Sequence, residues 1–235
     1  MQLIFDVDGT LTPSRGEMDS KFQQWFNGLC RKYPVHLVTG SDKPKTIEQI
    51  GKDTFNLCFT VYNCSGADVW QSNKQIRFDN WVLPADAEEF LQAELKNSKF
   101  VLRTGLHIEH RLGMVNFSIV GRNATLGERK LYKQFDDQFN ERIAIAKRFK
   151  TEFPQIDARP GGETGIDIFP VGKDKSRILD DFNGNNLHFF GDRMDKAGND
   201  YPLAQKIIDN GRGYCYYVKD WTDTWKELQL LCPDV

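Results

Sequence analysis

The stretch LIFDVDGTLTPSR, residues 3–15, closes a short apolar run with two aspartates one residue apart. An apolar run of this length, bounded by Gly and small polar residues, reads as a buried parallel strand. Asp6 and Asp8 then stand where that strand stops. Two like charges in that position repel unless something positive occupies the space between them.

Outward from this strand, helical and extended patterns alternate. EMDSKFQQWFNGLCRKY sets Phe22, Trp25, Phe26 and Leu29 on one helical face. PVHLVTGSD reads as a second strand, KPKTIEQIGKD as a second helix, and FTVYNCSGADVW as a third strand and turn. The alternation predicts a parallel α/β sheet. After about Asn80 the texture changes. FVLRTGLHIEHRLGMVNFSIVG is extended and β-rich, TLGERKLYKQFDDQFNERIAIAKRFKTEF is one long amphipathic helix or a pair, and GIDIFPVG is another strand. Irregular order of this kind predicts a separate α+β domain. From Lys175 the alternation returns through KSRILDDF, LHFFGD, YPLAQKIIDNG, GYCYYV and WTDTWKELQLL. The expectation is an α/β core of residues 1–79 and 175–235, interrupted by an α+β domain over residues 80–174.

Composition narrows the classes of function. A net charge of −2 over 235 residues makes no general electrostatic case for nucleic acid or an anionic membrane, so an anion site must be local. No apolar stretch approaches the ~20 residues of a membrane span, and a first apolar run broken at Asp6 lacks the form of a signal peptide. The five cysteines are scattered without a CxxC pair, which reads as reduced thiols in a cytoplasmic protein. Trp70, Trp81, Trp221 and Trp225 read as packing residues, and His107 and His110 as surface or hydrogen-bonding groups.

Ligands of open α/β sheets bind beyond the carboxyl ends of the strands. Asp6 and Asp8 lie at one such end, FFGD puts Asp192 at another, and AGND adds Asn199 and Asp200. Acids converging from distant stretches suit magnesium, a hard cation that prefers carboxylate oxygens and shares its shell with phosphate. Asp6 is then a carboxylate able to attack phosphorus, and Asp8 a general acid and base. Ser41 or Thr39 could hold a phosphoryl oxygen, and Lys175 could neutralise developing charge.

In their order and spacing, DVDGT, VTGS, KDK and GDRMDKAGND resemble the haloacid-dehalogenase-like phosphotransferase superfamily. The resemblance implies a Rossmann-like core, Mg²⁺, an aspartyl-phosphate intermediate at Asp6, and a C2-type cap in the inserted domain. RLGMVNFSIVGRNAT, GIDIFPVGKDK, HFFGDRMDKAGNDY and DGTLTPSR further resemble the eukaryotic phosphomannomutase family. That likeness implies interconversion of hexose 6-phosphate and hexose 1-phosphate, with mannose as the sugar and a hexose 1,6-bisphosphate primer. It carries substrate contacts to Arg15, Arg111, Arg122, Arg129 and Asp167, with Asn116 at a matching cap position, and it favours Ser41 over Thr39. It also implies a homodimer joined through the caps.

Several positions depart from the family pattern. Gly165 stands where a serine is expected, Glu163 replaces a glutamine, and Arg193-Met194 replaces a Lys-Thr pair. YPLAQKIIDNG takes the place of an acidic loop. These departures keep a Mg²⁺-dependent sugar-phosphate phosphatase open as the alternative, in which water reaches the aspartyl phosphate.

Overall fold

The computed structural model describes residues 1–14 and 16–235, so Arg15 lies outside the described residues. The chain opens with strand β1 (Gln2–Phe5), whose Leu3, Ile4 and Phe5 are fully buried. Helix α1 (Ser20–Lys32) starts where the Asp19 carboxylate accepts from the Lys21 and Phe22 amides, and it buries Phe22, Phe26 and Leu29. Strand β2 (Val35–Val38) is buried throughout. Helix α2 (Lys43–Ile50) is capped by Asp42, and Gly51 at φ 78° separates it from helix α3 (Lys52–Leu57). Strand β3 (Thr60–Asn63) leads through a 3-10 turn into a hairpin, β4 (Asp68–Gln71) and β5 (Lys74–Phe78). Its tip is Ser72-Asn73, both at positive φ, which matches the twist of a two-residue hairpin.

The chain then builds a second layer. Helix α4 (Ala85–Asn97) precedes the hairpin β6 (Ile108–Arg111) and β7 (Met114–Phe117). The long amphipathic stretch is two helices, α5 (Leu126–Phe139) and α6 (Glu141–Glu152), parted at left-handed Asn140. A capping box of Thr125 and Glu128 starts α5. Strands β8 (Ile156–Gly161) and β9 (Gly165–Pro170) complete an antiparallel sheet in the order β6-β7-β9-β8. Its inner face and the three helices share a core containing Leu91, Phe117, Tyr132, Phe149 and Ile168.

A short 3-10 segment, Lys175–Asp181, returns the chain to the first layer. Strand β10 (Leu187–Gly191), helix α7 (Tyr201–Asp209), strand β11 (Gly213–Tyr217) and helix α8 (Trp221–Leu231) follow. The large sheet runs β11-β10-β1-β2-β3-β4-β5, parallel through β3 and antiparallel beyond it. Strand β1 is therefore the middle one of the five parallel strands, with the chain winding one way through β2 and β3 and the other through β10 and β11. This reversal opens a crevice at the carboxyl ends of β1 and β10. Phe5 pairs with Phe190, so Asp6 and Asp192 leave the sheet side by side.

The tryptophans pack. Trp221 and Trp225 lie against Phe22, Trp81 joins the second core, and Trp70 carries the Lys43 ammonium over its ring. All five cysteines are free. Between the layers, Cys64 and Ala67 of the first touch Met114 and Phe169 of the second. No helix among the described residues is long and apolar enough to cross a membrane.

Candidate active site

Burial of charge marks the core half of the site. Asp6 follows β1, Lys175 opens the 3-10 segment, and Asp200 precedes α7, all three buried. Lys175 Nζ donates to Asp6 Oδ1 at 2.5 Å and to Asp200 Oδ1 at 2.7 Å. Asp200 Oδ2 also accepts the Arg193 amide at 3.1 Å, which orients it. Asp6, Asp192 and Asp200 each offer an oxygen within 4.8 Å of the others. The turn after β1 passes close: a Cβ on Gly9, at φ +86°, would lie 2.5 Å from Asp192 Oδ2.

Three carboxylates around one ammonium leave net negative charge in a low-dielectric space. Burial pushes the Asp6 carboxyl well above the usual carboxylate range, with Lys175 opposing and Asp200 and Asp192 adding to the rise. Asp192 is pushed up to about 7 by burial first and Asp200 second. Lys175 is held above its ordinary value, the two carboxylates outweighing its burial. Such a set fits a hard divalent cation: its donors are all carboxylate oxygens, and one dication would relieve the repulsion that raises Asp6 and Asp192.

Asp8 and Asn199 line the same cavity, and among the described residues Asp8 is not one of the clustered carboxylates. Asp8 Oδ1 accepts from Gln49 Nε2 at 2.8 Å. Thr39 Oγ1 accepts from the Ser41 amide at 3.1 Å, bracing the turn after β2, and both residues line the cavity.

The cap half faces this cluster across a cavity of about 680 Å³. Arg111, Arg122, Arg129, Asn116 and Asp167 all line it. Arg111 Nε donates to Glu109 Oε2 at 2.8 Å, and its Nη1 crosses to the core to bond Gly40 O at 2.6 Å. Arg122 lies 3.0 Å from the same Glu109 carboxylate, and Arg129 lies 3.7 Å from Glu163. Asn116 and Asp167 are cross-strand neighbours, with Asn116 Nδ2 donating to Asp167 Oδ1 at 2.6 Å. Gly165 allows this bond, because a Cβ there would lie 2.6 Å from Asn116 Nδ2.

Sequence reasoning overlooked Gln49, Lys133 and Arg142, which the fold brings to this cavity or to its lining residues. Lys133 follows Arg129 by four positions on one helix, a spacing that could have shown it. Arg142 is buried beside Asp136 and bonds Gly162 O and Gly165 O, a role set by the break at Asn140.

A parallel sheet with an acid at the end of its central strand, faced by an inserted cap, defines an α/β protein of the haloacid-dehalogenase type. Solved structures share this fold over nearly the whole chain. The N-terminally truncated IMP-nucleotidase of Plasmodium falciparum matches 98% of this chain and 70% of its own, with TM-score 0.67 and 15% identity. The C-terminal domain of C. albicans trehalose-6-phosphate phosphatase matches 100% and 92%, with TM-score 0.67 and 12% identity. At such identities the likeness speaks for the fold alone.

Sequence relatives are more specific. The family model described as eukaryotic phosphomannomutase matches residues 22–232. A phosphomannomutase of Saccharomyces cerevisiae is 31% identical over 240 residues, covering 97% of this chain and 93% of that protein. One of Spinacia oleracea is 32% identical over 235 residues, covering 95% and 92%. The chain belongs to the eukaryotic phosphomannomutase family.

Proposed function

We propose that this chain is a Mg²⁺-dependent phosphohexomutase that interconverts hexose 6-phosphate and hexose 1-phosphate, with mannose as the sugar. The observation that carries the reading is that Asp6, held by the buried Lys175, and Asp192 line the same cavity as Arg111, Arg122 and Arg129. Chemistry at one end and anion recognition at the other suit a sugar phosphate that must present each of its ends in turn.

Asp6 is the nucleophile in this reading. A carboxylate oxygen attacks the phosphorus of a hexose bisphosphate, the bond from phosphorus to the sugar oxygen breaks, and Asp8 supplies the proton that the leaving oxygen takes. In the reverse half, Asp8 removes the proton of a hexose monophosphate hydroxyl. The hydroxyl oxygen attacks the aspartyl phosphate, and the Asp6 carboxylate leaves. Lys175 orients Asp6 and favours its ionised form against burial, and the Ser41 hydroxyl holds a phosphoryl oxygen. Asp6, Asp192 and Asp200, with Asp8 and Asn199 nearby, would hold Mg²⁺, which when bound offsets charge on the transferring phosphoryl group. The cap arginines grip the resting phosphate while Asp167, steadied by Asn116, meets sugar hydroxyls. Residues 80–174 act as a cap that keeps water from the aspartyl phosphate, and two chains pair through their caps.

Phosphate hydrolysis is the second reading, favoured by the carboxylate of Glu163 beside Arg129. Incubation with mannose 6-phosphate and Mg²⁺, with and without a hexose 1,6-bisphosphate primer, separates the two. Primer-dependent mannose 1-phosphate supports the mutase, and stoichiometric free phosphate supports the phosphatase. Absence of both products sinks the shared phosphate-transfer reading.

A further inference from the structure

Arg129 stands in the first turns of α5 with its side chain only 5% exposed, and its Nη2 lies 3.7 Å from Glu163 Oε2. Glu163 belongs to the turn between β8 and β9, its side chain is 41% exposed, and both residues line the cavity that holds Asp6. That turn is pinned from two directions. The Gly162 carbonyl accepts from Arg142 Nη1 of the cap at 3.0 Å and from Arg193 Nη1 of the core at 3.3 Å. Arg142 Nη1 also reaches Gly165 O at 3.2 Å. Glu163 therefore projects its carboxylate into the anion end of the cavity from a fixed backbone.

We propose that Glu163 is a tethered counter-anion that a phosphate group must displace from Arg129, and that it biases the site towards hexose monophosphates over bisphosphates. This rests on the phosphate-transfer reading above and deepens it. A monophosphate bound with its phosphate beside Asp6 leaves Arg129 to Glu163, and only one bound with its phosphate at the cap must displace Glu163, whereas a bisphosphate must do so in either orientation. A compound with two must bring a second dianion next to a carboxylate, and like charges within ~4–6 Å repel. Partial exposure of Glu163 screens this repulsion without removing it. The cap thus holds a bisphosphate more loosely than its arginines alone would.

The test is calorimetric titration of the full chain with Mg²⁺, using non-transferable phosphonate probes: a hexose 1,6-bisphosphonate and a hexose 6-phosphonate. Glu163→Gln keeps the shape and removes the charge. It should bind the bisphosphonate about tenfold tighter than the parent, with a clearly smaller change for the monophosphonate. In an Arg129→Gln background the same substitution should give no such gain, because the two residues act as a pair. Equal bisphosphonate affinity in parent and Glu163→Gln, or a gain that survives in the Arg129→Gln background, overturns the proposal while leaving the phosphate site intact. Failure of both probes to bind both the parent and Glu163→Gln overturns the phosphate-transfer reading itself, and the proposal with it.

Discussion

Lys175 Nζ lies 2.5 Å from Asp6 Oδ1, joining side chains 169 positions apart in the chain. Lys175 is 1% exposed, so each partner depends on the other for its charge. Lys175→Met leaves Asp6 and Asp200 buried without their cation. It should lower stability by about 3–5 kcal/mol, read from urea unfolding. Asp6→Asn acts oppositely, since it removes one of three crowded acids. Turnover should fall by at least roughly a thousandfold while the thermal midpoint holds or rises. A variant that keeps full activity would remove Asp6 from the chemistry.

The carboxylate trio predicts a stabilising ion. Mg²⁺ at about a hundred times its dissociation constant should add about 2.7 kcal/mol to the unfolding free energy. Chelation should reverse the gain, and Asp192→Asn should abolish most of it. An identical thermal midpoint with Mg²⁺ and with chelator would argue that these acids hold no metal.

Arg122 tests the proposed division of the cavity between core chemistry and cap recognition. If Arg122 holds a substrate phosphate as proposed, Arg122→Ala should reduce hexose phosphate isomerisation by about a hundredfold, the loss of an arginine–phosphate pair. Hydrolysis of a small aryl phosphate, which needs only the core half, should fall far less. Equal losses in the two assays would break the assignment of Arg122 to a distant phosphate.

Acid sensitivity should come from His36, 3% exposed in β2 between Phe59 and Phe182. Its Nε2 bonds Gln2 Oε1 at 3.1 Å, while Nδ1 has no hydrogen-bond partner among the described residues. Burial lowers its pKa to about 4 from 6.5. The folded state thus favours the neutral ring, and its stabilisation is complete above pH 6.5. It is lost as pH falls from 6.5 towards 4, by on the order of 3 kcal/mol in total. His36→Phe should flatten the stability profile over that interval, and an unchanged slope would assign the acid sensitivity elsewhere.

Gly165 is a steric test of the Asn116–Asp167 pair. Gly165→Ala places a methyl group 2.6 Å from Asn116 Nδ2, so the amide must move off Asp167. A loss of about 1–3 kcal/mol in stability and a raised KM for the hexose phosphate should follow. A crystal structure of the variant with the 2.6 Å bond intact would refute the crowding argument.

Much of this was written locally. Buried strands such as VHLV, and helices such as α1 with its Asp19 cap, announce themselves through period and capping. The strand-end acids Asp6 and Asp192 follow from the same reading, because a side chain just past a buried parallel strand has one place to go. Other elements gave weak local signals. Strand β5 is mostly exposed and lacks alternation, β8 contains Pro160, and α4 buries only Ala87 and Leu91.

Tertiary structure decided the partnerships. That Lys175 would sit between Asp6 and Asp200, that Arg111 would cross from cap to core to bond Gly40, and that Glu163 would stand beside Arg129 depend on chain packing. Periodicity assigns a residue to a face. Which charges then meet depends on how distant segments close upon each other, since electrostatic pairing is a property of distance in space and of burial.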